Sequence, residues 1–191
     1  MSDIPFSIRS NGISANDVAE TYLTIASASN TYEPILPTKV YVSARKTSNT
    51  TITVYNQRTD ITGYTIDVES NAGSLNTVSG VFTAPRSGLY KIENQITFKD
   101  YEGERLFTCD NFIDKKPSAG SWTTYKVAIY STSDKLLDGY TTQNSSIIYL
   151  NINDQIKVSG ASRAGGTNAW TILGVSGPVN RVTTLNIYSI D

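Results

Sequence analysis

Short runs of alternating apolar and polar residues follow one another along the chain from Lys39 onward. Alternation with a period of two predicts strands with one buried face, and the turn residues between the runs have the spacing of a sandwich or barrel. Examples are VYVSARK, YTIDVES, TTYKVAIYS and QIKVSGA. Apart from a short helix that residues 15–23 could form, no segment has the 3.6-residue period of an amphipathic helix. The pattern predicts an all-β fold.

The segment GVFTAPRSGLYKIENQITF contains two strand patterns, which Pro85 and Gly88 interrupt. Proline cannot donate to a strand ladder, and glycine is the residue that best tolerates a positive φ, which we expect at Gly88. The large apolar residues around this break are predicted to face the core: Phe82, Tyr90, Ile92, Ile96 and Phe98.

Composition removes several classes of function. Net charge is −1 and only 17% of residues are charged, so the chain has no basic surface for nucleic acid. No apolar run is long enough for membrane insertion, and the N-terminal residues MSDIPFSIRS lack the features of a secretory signal. The absence of histidine excludes Ser-His-Asp and Cys-His catalysis and histidine metal sites. The single cysteine, Cys109, is predicted to be a small buried residue.

One acidic cluster remains as a candidate for chemistry. Asp100, Glu102 and Glu104 alternate around a glycine in KDYEGERLF. Such residues can form a solvated hairpin tip, an oxygen cage for calcium, or a pair of carboxylates acting on a sugar. We expect the solvated tip, with calcium as the alternative cofactor and no catalytic residues.

The segment from residue 71 to residue 98 resembles the signature of the complement and tumour-necrosis-factor (TNF) superfamily of trimeric jelly rolls. The family pattern Gly-x-Phe-x-x-Pro-x-x-Gly-x-Tyr is matched here by one residue set: Gly80, Phe82, Pro85, Gly88 and Tyr90. VYVSARK resembles the family's first strand. SSIIYLNINDQIKVSG resembles its late strand pair, with Asn153 in place of a glycine and Asp154 retained. The final strand, TTLNIYSID, departs from the usual Phe-x-Gly.

This resemblance covers residues 39–191 and implies a TNF-like jelly-roll β-sandwich. It also implies a homotrimer that binds a partner and is not an enzyme. Twelve tyrosines supply amphipathic side chains of the kind that subunit interfaces use.

Ahead of this head, TYLTIASASNTYEPIL is similar to the ten-residue shaft repeat of bacteriophage fibres. One strip cannot bury its own apolar residues, whereas three strips wound together can. The residues predicted to line this short trimeric stalk, residues 21–38, are Tyr22, Leu23, Ile25, Tyr32 and Ile35. Pro34 and Pro37 favour an extended connection to the head. Residues 1–20 are predicted to be an arm that anchors the protein on a particle, or else a disordered tail.

Together these resemblances predict a homotrimeric fibre or spike on a virion surface. Its expected partners are other virion proteins, held by the arm, and a host receptor, which we expect to be a glycan. The alternatives are a secreted lectin-like or signalling trimer and, last, a carbohydrate-cleaving enzyme, which a reducing-sugar release assay would identify.

Because successive antiparallel strands run in opposite directions, we expect three loops at the end of the sandwich away from the chain termini: residues 100–104, 132–143 and 162–181. Aromatic rings can stack on pyranose C–H groups while polar groups select hydroxyls. The candidate receptor-binding residues in these loops are Tyr101, Tyr140, Arg163 and Trp170. For Trp170 an alternative is open, in which its ring folds back to cap the sandwich.

Overall fold

The structure, a computed structural model, describes residues 39–54, 57–100, 106–131, 139–164, 169–174 and 182–190. The chain divides into two units between Thr38 and Lys39, the position at which the predicted head begins. The predicted arm, stalk and short helix all lie outside the described residues.

Every regular element among the described residues is a strand. The strands are β1 (Tyr41–Lys46), β2 (Thr50–Ile52), β3 (Thr59–Asp60), β4 (Tyr64–Glu69), β5 (Leu75–Asn76), β6 (Val81–Thr83), β7 (Gly88–Asp100), β8 (Leu106–Lys116), β9 (Thr123–Ser131), β10 (Gly139–Leu150), β11 (Gln155–Ala164), β12 (Trp170–Ile172) and β13 (Thr184–Ser189). In this part of the chain no helix has the length and apolar character needed to cross a membrane.

The strands form two antiparallel sheets. Sheet 1 has the order β2-β12-β7-β13-β1-β4, with β10 along the other edge of β7. Sheet 2 has the order β5-β6-β11-β8-β9, with β3 also paired to β11. The long strands β7 and β11 organise the two sheets, because each has one long partner on one edge and shorter strands on the other. The all-β sandwich predicted from the alternation is confirmed.

Strand directions define the two ends of the sandwich. β1 and β13 are neighbours, and the backbone of Val40 accepts a hydrogen bond from the Ser189 N–H at 2.8 Å. We call this the basal end. β7, β9 and β11 run from the basal end towards the opposite, apical end, since Gly88 pairs with Leu150 and Lys99 pairs with Gly139.

The core lies between the sheets and consists of the inward residues of both. Phe82 and Tyr90 are fully buried and meet edge to face with ring centroids 5.8 Å apart. The Tyr90 hydroxyl donates to the Arg86 carbonyl at 2.8 Å, which ties the break at Pro85 to the core. The other apolar residues predicted to face inward are buried as well: Ile92, Ile96 and Phe98.

Three positions have the positive φ angle that the sequence predicts or permits. Gly80 has φ +72°, and a Cβ there would lie 2.0 Å from the Ile61 carbonyl oxygen, so only glycine fits. Gly88 has a positive φ of 156°, as expected. Asn153 has φ 68°, which explains how asparagine can replace the glycine of the family pattern.

The shortest elements were not visible in the sequence. The run TITVYN predicts a longer strand than β2, which ends at Ile52. Strand β5 has two residues and pairs with the nearby β6. Strands β3 and β12 have two and three residues, and their pairing partners lie far along the chain. Alternation cannot be recognised over so few residues, so tertiary pairing alone determines these strands.

Candidate functional site

The predicted receptor-binding residues do not form one surface. Tyr101 lies outside the described residues. Tyr140 is near the apical start of β10, opposite the inward residue Phe98, and its half-buried ring packs against the core. Arg163 is exposed near the apical end of β11 in the other sheet. The sheet register therefore separates side chains that the loop positions had suggested would converge.

The prediction that Trp170 binds a receptor is wrong. Its side chain is fully buried in β12, and its ring centroid lies 5.5 Å from that of Phe98. A ring without exposed surface cannot stack on a sugar. The alternative, in which Trp170 closes the sandwich, is what the structure has.

Tyr140 instead takes part in an aromatic pair. Its ring stacks on that of Tyr130, with centroids 3.7 Å apart and planes inclined by 17°. The pair joins β9 of sheet 2 to β10 of sheet 1 at the open side of the sandwich. A cavity of about 280 Å³ beside it is lined by the two rings and by Thr141, Thr142 and Gln143, among others.

Arg163 has an acidic neighbour on the outer face of sheet 2. Burial raises the pKa of the Asp110 carboxyl, and the positive charge of Arg163 opposes this rise. One Asp110 oxygen, Oδ1, is buried without a hydrogen-bond partner in the described part of the chain.

The calcium prediction stays a prediction. Glu102, Glu104 and the side chain of Asp100 lie outside what the structure describes. Among the residues that it does describe, no three acidic or cysteine side chains are grouped closely enough to hold a metal ion. Cys109 is buried, as expected, and burial raises the pKa of its thiol to about 12.

A groove on the outer face of sheet 2 brings together the most elaborate polar network among the described residues. Arg58 donates from Nε to Ser159 Oγ at 2.7 Å, from Nη1 to Thr124 Oγ1 at 2.8 Å, and from Nη2 to Asp114 Oδ2. Its guanidinium also lies 4.0 Å from the centroid of the Phe112 ring. These contacts hold the guanidinium in one orientation.

The other part of this groove contains one aromatic ring, that of Trp122, beside a charged pair. Lys157 Nζ lies 2.7 Å from Asp60 Oδ2 and 4.7 Å from the centroid of the half-buried Trp122 ring. The cavity has a volume of about 310 Å³. We call it the Trp122 groove; it is lined by Arg58, Asp60, Asp114, Trp122, Thr123, Thr124 and Lys157.

Sequence reasoning missed this groove. Trp122 is one of only two tryptophans and follows a small-residue turn, AGS, which could have marked it as exposed. Its partners could not be found in this way, because Asp60 and Lys157 are 97 residues apart and Arg58 and Asp114 are 56 apart. Only the pairing of β3 and β8 with β11 brings them together.

The outer face of sheet 1 has a different character. Near the basal end it exposes neighbouring apolar and aromatic side chains, with Tyr149 opposite Leu89 and Tyr188 opposite Tyr41. We call these residues the basal patch: Tyr41, Leu89, Ile147, Tyr149, Tyr188 and Ile190. Tyr149 and Ile147 each keep 55% of their surface exposed. Further along the same face the residues become polar, with Glu93, Gln95 and Gln143 lining a shallow depression.

Comparisons by sequence find no relative: no family model matches the chain, and no curated protein matches it. Solved structures do match. A crystal structure of murine APRIL has 14% identity and a TM-score of 0.55, covering 80% of this chain and 99% of that one. The structure of Eiger TNF from S. frugiperda has 10% identity and a TM-score of 0.57, covering 80% and 92%.

The globular domain of zebrafish complement 1qA is also similar, with 15% identity and a TM-score of 0.50, covering 80% of this chain and 98% of that domain. At such identities the likeness concerns the fold alone. The fold is therefore a TNF-like jelly roll, as the sequence resemblance implied.

Proposed function

We propose that this chain is a homotrimeric fibre or spike protein of a virion, whose jelly-roll head binds the host surface. The arm at residues 1–20 attaches it to the particle, and the stalk at residues 21–38 carries the head. The TNF-like fold supports a binding role, and the fibre-type repeat that precedes the head supports the virion setting.

One observation carries the trimer. The basal patch is mostly apolar and aromatic, with Lys91 between Ile147 and Tyr188, although it lies on the solvent face of a sheet whose remaining outward residues are mostly polar. A cluster of exposed apolar side chains of this kind marks an interaction site. The patch is beside Val40, where the chain enters β1. Three chains joined by a stalk ahead of Lys39 would bring their basal ends together, so the occupant that fits the patch is another copy of the chain.

Light scattering on the purified protein tests the assembly. We expect three times the monomer mass of 20.8 kDa, and a trimer again after removal of residues 1–38. The double variant Ile147→Lys, Tyr149→Lys should be monomeric, because it places charges in the interface. Ile129→Lys is the matched control: Ile129 is 68% exposed on the outer face of sheet 2, and this variant should remain trimeric. A wild-type monomer at micromolar concentration would refute the proposal.

The virion setting needs its own measurement. Immunogold labelling should locate the protein on intact particles, and a chain without residues 1–20 should fail to incorporate while keeping its mass in solution. Normal incorporation of that truncated chain would show that the arm is not the anchor.

A further inference from the structure

The Trp122 groove lies on the face of the sandwich opposite the basal patch. Lys157 and Ser159 point outward from β11, alternating with the core residues Ile156 and Val158. A trimer formed through sheet 1 leaves the outer face of sheet 2 open to solvent. The groove would therefore remain accessible in the assembled head, on its side rather than at its apex.

The polar groups of the groove are fixed before any ligand arrives. Asp114 is buried, and its Oδ2 accepts hydrogen bonds from both Arg58 and Ser159, the latter at 3.1 Å. Arg58 in turn is held by Thr124 and by the face of Phe112. Groups that are ordered in advance lose little entropy on binding, which favours recognition of a small ligand.

The charges of the groove balance locally. Each cation already has a carboxylate partner, Arg58 with Asp114 and Lys157 with Asp60. An anionic ligand would have to compete with these carboxylates, whereas a ligand with neutral hydroxyls can donate to the carboxylate oxygens and accept from the ammonium and guanidinium. The arrangement therefore favours a polyhydroxyl ligand without net charge.

Trp122 supplies the apolar part of such a site. The Lys157 ammonium over its ring holds the indole in place, and the half-buried ring keeps exposed surface. Its indole N–H makes no hydrogen bond within the described residues. The Tyr130 and Tyr140 rings likewise each lose one face, to each other, but no charged side chain among the described residues lines the cavity beside them.

We propose that the Trp122 groove binds one pyranose unit of a neutral glycan. The C–H groups of the sugar would contact the Trp122 ring, and its hydroxyls would bond to Asp60 and Lys157. This inference rests on the proposed function, because it names the ligand class of the host-binding head and the residues that contact it.

Tryptophan fluorescence tests the site directly. In a Trp170→Phe background, Trp122 is the only tryptophan. Titration with methyl glycosides of glucose, galactose, mannose, N-acetylglucosamine and N-acetylgalactosamine should change its emission saturably for at least one sugar, at a Kd of about 1–10 mM. Glucuronic and sialic acids should give no saturable change. No response to any neutral glycoside up to about 100 mM, or a response only to the acids, would overturn the inference.

Variants then assign the response to named residues. By calorimetry, Trp122→Ala should weaken binding of the active glycoside at least tenfold, and Asp60→Asn several-fold. Two controls should bind as wild type: Asp67→Asn, on sheet 1, and Tyr140→Ala, in the apical pair. If Tyr140→Ala abolishes binding and Trp122→Ala does not, the site is apical and the inference is wrong.

The two proposals can fail separately. A trimer that incorporates into particles while Trp122→Ala binds sugar normally would refute only the groove. A monomer in which sugar still perturbs Trp122 would refute the trimeric fibre and leave the groove intact.

Discussion

Trp170 shows how one residue type can serve two purposes that sequence does not distinguish. Tryptophan in a polar segment near a predicted loop is a reasonable candidate for sugar stacking. The structure places it in β12 between β2 and β7, with its ring against Phe98. That strand has three residues, all buried, so no alternation indicated its direction. Trp122, the tryptophan that does keep exposed surface, lies directly before β9.

The indole of Trp170 also has an unmet hydrogen bond. Its Nε1 is buried and, within the described part of the chain, has no acceptor. Trp170→Ala should lower the free energy of unfolding by about 3–5 kcal/mol because it leaves a large cavity. Trp170→Phe should cost clearly less, since it fills most of the space and removes the unsatisfied N–H.

Urea denaturation measures both variants of Trp170. Trp122→Ala is the matched control, and we expect it to change stability by less than about 1 kcal/mol because half-buried surface positions contribute little. Equal losses for alanine at positions 122 and 170 would contradict the assignment of one ring to the core and the other to the surface.

At the scale of elements, the turn between β10 and β11 depends on a single carboxylate. Asp154 Oδ2 accepts the Asn151 N–H at 3.0 Å and lies 3.1 Å from Lys115 Nζ, and Oδ1 accepts the Ser118 N–H at 3.0 Å. Burial alone would raise the pKa of Asp154, but these three hydrogen bonds and the Lys115 charge together outweigh it and lower the pKa. This explains physically why the aspartate of the family pattern is present here.

A lowered pKa in the folded state implies acid sensitivity. The ionised carboxylate stabilises the fold at pH values above the unfolded pKa of about 3.9, and this contribution is lost as the pH falls through the lower folded pKa. Asp154→Asn should therefore lower the unfolding free energy by about 1–3 kcal/mol at pH 7, with a difference that shrinks below about pH 4.

Denaturation at several pH values tests this account of Asp154. Asp67→Asn is the control, because Asp67 pairs with Arg45 at the surface and such pairs contribute about 0–1 kcal/mol. A loss for Asp154→Asn that stays constant from neutral pH to pH 2 would show that packing, not charge, stabilises the turn.

The long strands could be predicted from the sequence, but the side chains that protect the unpaired sheet edge could not. The bounds of TTYKVAIYS match those of β9 residue for residue. The apolar residues of this alternation, Tyr125, Val127 and Ile129, nevertheless face solvent instead of the core. Sequence gave no sign, however, that side chains from β8 and β9 cover the unpaired edge of β10. Lys126 and Lys115 donate to the carbonyls of Ser145 and Tyr149, at 2.6 and 2.8 Å. Edge strands left bare tend to aggregate, so these lysines protect the open side of the sandwich.

At the scale of the whole molecule, the two sheets divide the tasks. Sheet 1 carries the basal patch and sheet 2 the Trp122 groove, so the surfaces proposed for assembly and for recognition lie on opposite faces. The resemblance of Gly80, Phe82 and Tyr90 to a family pattern was enough to predict the sandwich. It could not predict the groove, whose residues come from β3, β8, β9, β11 and the loops beside them and meet only through strand pairing.

The position of β1 inside its sheet has a mechanical consequence. β1 pairs on one edge with β13 and on the other with β4. When force is applied at Lys39 and the protein is held at sheet 2, the force acts along β1. Because antiparallel hydrogen bonds lie across the strand, both ladders are then sheared together. A pull between residues 39 and 190 would instead open the β1–β13 ladder one bond at a time.

Single-molecule pulling should therefore need a higher force from residue 39 against a handle at Ile129→Cys than against one at residue 190. Equal forces would mean that β1 detaches by another route. A head tethered at its N-terminus and held by a ligand on sheet 2 is thus loaded in the direction in which its attachment strand resists most.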